Sequence, residues 1–541
     1  MRNRFACLCT LGIALSGGHG VHAASSFPAH RGTSPWSFTS VAEPSSRFVV
    51  NDTDSSTIDV YLLRSQGPIV IDVKTRRYIG PTDAQGHLLN LPQLRARGIV
   101  GDTATITLPA YDVDETTPPN TDCDFDGTVD QLKPEIDDLY LNGEKIGTLT
   151  GGNNRWLQNA FSVPINKLKF PSAPGQTATN QFRLDIDVGN KDAVLSSGVV
   201  GCDRWAVTID WIGVQYEASS PVVMVHGINS SGATFGGFQN GLQAQFVMAN
   251  DISINLTDPV APDPVPPGCP DIDYNNSIKT NVEQLRRLVP VIAEKFGSET
   301  LHFVAHSKGG LDTLGFLSST ASHPISVRVG SMGGQFVRRD IEGRSLVTLD
   351  TPHAGSVLAQ FGVEARQLTS LQALRANVTA AAAKRFEGAY YCDLQPSRAS
   401  SFVARTQLPA GVEAASIASD ADCDGDHKIG LWATCPSGHS EAEGFPGGAL
   451  MANRLYRMIG TVSTVEITVI PIRFAPDEVH VVTEPTTSFQ TSDTIVSQAS
   501  AAFYKKSDIT GWHHVNVHSR ENGEAIATDT QAGRLSSWRK R

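Results

Sequence analysis

The chain has 541 residues, 40% of them hydrophobic and 18% charged, with a formal net charge of -11 at neutral pH. That length holds two or more domains with cores of their own, and the composition excludes the disordered and fibrous classes. The negative balance excludes nucleic acid as the main partner, because phosphate binding needs concentrated Lys and Arg; the terminal Arg539, Lys540 and Arg541 read as a solvated end.

Residues 1–23 read as a secretory leader, with Arg2 and Arg4 as the basic start, an apolar stretch from Phe5 to Leu15, and Val21 and Ala23 as a small-residue cleavage site. No later apolar run is long enough to span a bilayer, so the expected product is exported, secreted or periplasmic, with no transmembrane segment. Of the eight cysteines, Cys7 and Cys9 fall in the leader, which leaves Cys123, Cys202, Cys269, Cys392, Cys423 and Cys435. An even set in an oxidising compartment predicts disulfides. If pairing stays within domains, Cys123 joins Cys202 and the other four keep their alternative connectivities open.

From about Ser25 to Tyr216 short alternating runs are separated by Gly, Pro, Asn and Asp, as in 137–151, 180–189 and 204–217. This pattern predicts an all-β, sandwich-like region over 24–217, with a hairpin turn at Asn142-Gly143. Within it, Asp122, Asp124, Asp126, Gly127 and Asp130 follow the first nine positions of a calcium loop, which sets alternate carboxylates around one cation. Lys133 stands where the bidentate glutamate belongs, so the plain alternative is an acidic turn pinned by Cys123. A second loop offers Asp420, Asp422, Asp424 and Gly425 but has Lys428 and Leu431 at the ninth and twelfth positions, a poorer match. Calcium at either loop would be structural, since neither adjoins a nucleophile.

From Ser219 onward apolar strands alternate with helical segments, the pattern of an α/β unit over 218–541. The strands read from it are 221–228, 301–306, 344–351 and 465–474. Between the first two, Val282, Leu285, Leu288, Ile292 and Phe296 share one helical face, with a kink expected at Pro290. The interval of about 357–447 is too long for a simple connection and reads as a cap or lid.

The strand LHFVAH leads into Ser307-Lys308-Gly309-Gly310 and then an apolar helical segment. This is the form of a nucleophile elbow, with Ala305 in place of the first glycine. A serine hydroxyl attacks only when a histidine takes its proton and an acid orients that histidine, and in this setting the order is serine, acid, histidine. Asp493 is the chosen acid, with Asp477 and Asp350 as alternatives and helix capping as its bland reading. His514 is the chosen base, with His518 and His513 behind it. The oxyanion donors are the backbone N–H groups of Lys308 and of Ile228, which follows the His226-Gly227 turn. His226 and His306 read as bracing groups, and the Lys308 ammonium as incidental.

Taken in order, VHGI, AHSKGG, TPHAGS, SDTIVSQASA and the late His514 make residues 219–530 resemble the bacterial lipase and esterase branch of the α/β-hydrolase family. The resemblance implies an α/β-hydrolase fold, a mostly parallel sheet with helices on both faces, following the sandwich-like domain. It also implies a carboxylic-ester hydrolase with Ser307, Asp493 and His514 as triad, Ile228 and Lys308 as oxyanion donors, His353 as a structural residue, and no cofactor in catalysis. The expected substrate is a lipid or other hydrophobic ester. Two other readings are a polyester depolymerase gripping insoluble polymer with its β-region, and a secreted binding module with a degenerate hydrolase domain.

Overall fold

The computed structural model describes residues 46–510 apart from 52–59, 65–66, 114–121, 124, 153–154, 202–204, 210–211, 229, 246–248, 253–276, 299, 319–323, 329–335, 341, 366–388, 431–434, 436–439, 444, 446–447, 471–477 and 487, together with 517, 519, 522 and 524. Residues 1–23, Asp124, Cys202, Cys269, Asp477, His513, His514 and His518 lie outside the described residues.

Between residues 46 and 218 the described strands form two antiparallel sheets, one of six strands and one of four. Alternation accounts for them: along Ile69–Thr75 buried and exposed residues strictly alternate, so Ile69, Ile71 and Val73 face the core. The expected hairpin forms between Asp138–Leu141 and Glu144–Thr148, where Asn142 (φ 51°) and Gly143 (φ 90°) supply the two left-handed residues of the turn. A small loop closes on itself where Val194 bridges Val200 and Ser196 bonds Asp126 and Asp130 of the neighbouring acidic loop. Val194, Val199 and Val200 are 71%, 52% and 60% exposed there, beside Val129 at 54%.

In the C-terminal half the described residues are organised around a parallel sheet of six described strands: β1 (Val222–Val225), β2 (Ala249–Ile252), β3 (Thr300–His306), β4 (Glu342–Leu349), β5 (Glu413–Asp420) and β6 (Lys505–Thr510), in the spatial order β2-β1-β3-β4-β5-β6. All four residues of β1 are buried, as a strand covered on both faces requires. One face carries Val222, Met224, Val304, Val347, Leu349 and Ile417 and packs with Phe238 and Leu242 of helix α1 (Gly236–Ala244). The same cluster runs on without a break into the core of the antiparallel region. The opposite face, with Val223, Val225, Phe303, Ala305 and Leu346, packs against α2 (Ile278–Phe296) and α3 (Lys308–Ser318).

Helix α2 starts at Ser277, whose side chain accepts the Thr280 N–H, and stops at Gly297 in the left-handed region. Its expected face is buried except for the half-buried Leu288, and Pro290 sits inside the helix without ending it.

Two readings of the strands need correction. The run read as a strand at 465–474 is described only as far as Ile470, and that part does not join the parallel sheet: Val462–Ile470 pairs antiparallel with Glu478–Pro485 as a separate two-stranded sheet. The interval 357–447, read as one cap, contains β5, which inserts between β4 and β6. Helices α4 (Val357–Ala365) and α5 (Pro396–Arg405) precede β5 in that interval. Among the described residues no helix is long and apolar enough to cross a membrane.

Candidate active site

The strand order reverses between β1 and β3: from β1 the chain steps outward to β2, and then through α2 to the other side of β1. In an open parallel sheet the crevice at the carboxyl ends of two such strands is where ligands bind. The register places particular residues there. Val225 pairs with Ala305 and His306 with Leu349, so Gly227, Ser307 and Asp350 come next on three adjacent strands. The Ser307 N–H donates to Leu349 O (2.9 Å), extending the ladder to the turn.

Ser307 has φ +54°, a left-handed conformation that costs a non-glycine residue on the order of 1–2 kcal/mol. The surroundings enforce it. A Cβ on Gly227 would lie 2.6 Å from Ser307 Cβ and 3.2 Å from Oγ, and one on Gly309 would run into the His226 carbonyl. Small residues on both sides of the serine are therefore a steric demand of the packing, and the fully buried Ala305 meets it as the missing glycine would. The His226 ring bonds Gly227 O (2.7 Å), which makes His226 a brace for that turn as expected.

Helix α3 begins at Lys308, directly after Ser307, so its unsatisfied N–H groups and positive dipole end face the strand-end crevice. Ile228 follows Gly227 and is partly buried. The Lys308 ammonium is not incidental: it is buried and donates to Asp312 Oδ1 (2.6 Å), whose Oδ2 accepts from Asn281 Nδ2 (2.8 Å). Burial pushes the Asp312 carboxyl up to about 6 against the pull of Lys308 and Asn281. The pair thus ties the elbow helix to α2.

Asp493 is 1% exposed, and its Oδ1 accepts the N–H groups of Ile495 (2.7 Å) and Val496 (2.6 Å). It caps no helix; Ser497 caps the short helix α7 that follows, Gln498–Ala501, which comes after α6 (Gly448–Thr461). The loop is pinned to the sheet edge by Ala421 N–H to Ser492 O (2.9 Å) and clasped by the turn after β4. In that turn Ser356 Oγ donates to Ile495 O, while Ser500 Oγ accepts from Ala354 N–H and donates to Gly355 O. His353 of the same turn is buried, stacks on Phe503 (5.2 Å) and meets the edge of Tyr504 (5.4 Å); burial pushes its imidazole down to about 4. It is a packed neutral ring, in line with the structural reading.

The Asp493 side chain also meets that of Asp350, which is fully buried at the end of β4 with φ +47°. Three non-glycine residues with left-handed backbones, Ser307, Asp350 and Thr494, thus mark this edge. The three histidines considered as base lie outside the described residues; they follow Thr510, the last residue of β6, by three, four and eight positions.

In the first acidic loop, Asp122 accepts from Asp126 and Gly127 N–H, Asp126 from Thr128 N–H and Ser196 Oγ, and Asp130 from Cys123 and Ser196 N–H. Its described carboxylates are thus engaged within an acidic turn. In the second, oxygens of Asp422, Asp424 and Asp426 lie within 4.8 Å of one another. Asp426, not named from the sequence, joins Asp422 and Asp424 there; Asp420 accepts from Tyr456 Oη (3.0 Å), and all four carboxylates accept backbone N–H groups within the loop, as in the first. The D-x-D-x-D spacing was the available signal. Cys423 pairs with Cys435 across this loop; Cys123 and Cys392 are each disulfide-bonded as well, in bridges separate from one another. A separate cavity of about 950 Å³ lies between α2 and α5, at the far end of α3 from Ser307.

No family model and no curated protein matches this sequence. Solved structures similar to it include EstA from Clostridium botulinum (14% identity, 60% of this chain and 88% of that chain, TM-score 0.30). Lipase 1 from Pelosinus fermentans is 12% identical over 58% of this chain and 99% of that chain, with TM-score 0.31. Phospholipase PlaB from Legionella pneumophila is 11% identical over 59% of this chain and 58% of that chain, with TM-score 0.27. Likeness at this level assigns no activity; the strand-end geometry has to carry that.

Removing one partner of a buried ion pair strands the other, at a cost of about 3–5 kcal/mol. Lys308→Met should therefore lower unfolding stability by about that much, and Lys308→Met with Asp312→Leu should recover most of the loss, measured by urea titration. Equal stability of single and double variants would show that the pair does not clamp the elbow helix.

Proposed function

We propose that this chain is an exported serine ester hydrolase with an α/β-hydrolase fold over about 218–541, following a leader at 1–23 and a sandwich-like domain at 24–217. The observation that carries the reading is Ser307: a non-glycine residue at φ +54°, at the strand-order switch, packed against Gly227 and followed at once by a helix.

In this mechanism Ser307 Oγ attacks the ester carbonyl carbon while His514 takes the hydroxyl proton; His518 and His513 are the alternative bases. Asp493 orients the histidine and stabilises its charged form. The N–H groups of Lys308 and Ile228 hold the oxyanion, the former at the positive end of α3. The histidine then protonates the leaving alcohol, and water, activated by the same histidine, cleaves the acyl-enzyme. No cofactor takes part, and a calcium ion would be structural, at the first acidic loop (Asp122, Asp124, Asp126, Asp130) or at the second (Asp420, Asp422, Asp424), where Asp426 joins them. The substrate class is a lipid or hydrophobic ester.

Ser307→Ala should remove turnover of p-nitrophenyl esters by at least about 10³-fold, with an unchanged thermal melt. Turnover at the wild-type rate would overturn the assignment.

A depolymerase or other insoluble-substrate reading is favoured by the exposed Val194, Val199 and Val200 loop of the β-region, held firm by Ser196. Replacing the three valines with serine should lower activity on dispersed polyester or lipid several-fold and leave soluble esters untouched. Equal activity on both substrates would remove that reading.

A further inference from the structure

Asp350 lies in the same strand-end row as Ser307, one strand over, and meets Asp493 in a site closed to water. Its Oδ1 accepts the Ser419 N–H (2.7 Å), and its Oδ2 is buried and receives no N–H. Asp493 receives two backbone N–H bonds on Oδ1. Two ionised carboxylates in contact and out of water repel strongly, so such a pair holds one proton between them. Backbone N–H donors stabilise the charged form, and Asp350 receives one where Asp493 receives two, which leaves Asp350 the holder of the shared proton. Burial first, and then the neighbouring Asp493 charge, hold the Asp350 carboxyl well above the usual carboxylate range.

We propose that Asp350 is a positioning residue: its protonated carboxyl donates a hydrogen bond to the Asp493 carboxylate, so that a pair of acids, and not a lone aspartate, presents the negative charge to the catalytic base. What the pair does in turnover rests on the ester-hydrolase reading; the shared proton does not. The arrangement follows from the fold. Asp350 is held in its left-handed conformation at the end of β4, while the Asp493 loop is brought against it by the Ser356 and Ser500 clasp. Without a donor from Asp350, the buried Asp493 charge would lose a charge-assisted hydrogen bond and the constraint that aims it.

The test compares Asp350→Asn, Asp350→Ala and Asp493→Asn. Asparagine keeps an N–H donor for Asp493 and a carbonyl acceptor for Ser419, so Asp350→Asn should stay within about threefold of wild-type kcat. Asp350→Ala should lose about 10- to 100-fold in kcat with KM little changed, the loss of one charge-assisted bond. Asp493→Asn should lose more than either. Independently of activity, the infrared difference between wild type and Asp350→Asn at neutral pH should show a carboxylic-acid carbonyl band present only in the wild type. If Asp350→Ala does not fold, the asparagine variant and the band decide. A fully active Asp350→Ala, an Asp350→Asn as impaired as Asp493→Asn, or an unchanged infrared band would each overturn the proposal. A protein that shows the band but hydrolyses no ester would refute the ester-hydrolase reading alone.

Discussion

The close approach of β1 and β3 is the constraint on which the site depends. Because Val225 and Ala305 are in register, the next residues but one, Gly227 and Ser307, arrive side by side with no space for a side chain on the glycine. That contact forces the chain to turn at Ser307, and α3 starts immediately beyond it. The strain of a left-handed serine is modest beside the burial that holds it, since fully burying one large apolar side chain is worth about 1.5–3 kcal/mol and both strands are buried throughout.

Around this turn several ionisable side chains are buried. Lys308 and Asp312 neutralise each other beneath the elbow, and Asp350 and Asp493 share the edge beside it. Each charge carries donors or a partner, which is the condition under which buried polar groups persist. Their geometry makes the edge rigid: α3 is tied to α2 through Asn281, and the Asp493 loop to the turn after β4 through Ser356 and Ser500. Preorganisation of this kind is what electrostatic stabilisation of a developing oxyanion requires.

The elbow was legible in the sequence because its determinants are local: an apolar strand, small residues about a serine, and a helix directly after. The same holds for the Asn142-Gly143 hairpin and for the face of α2. Strand β5 was hidden because EAASIASD is rich in Ala and Ser, small residues that pack between neighbouring strands but lack the β-branched signature of a strand. Strand β6, KKSDIT, is mostly polar and short, so it carries little strand signal in the sequence; among the described residues it is the last strand of the sheet. The run 462–470 has strong strand propensity, yet nothing in it tells which strand it joins. The pairing of Asp350 with Asp493 joins residues far apart in sequence, and the buried role of Lys308 depends on Asn281 of another helix; neither could be read from local pattern.

The most direct measurement is covalent trapping. Folded protein treated with a fluorophosphonate and digested for peptide mass mapping should carry one adduct, on Ser307, and unfolded protein should carry none. Absence of an adduct from the folded protein, or its appearance on a different serine, would contradict the account.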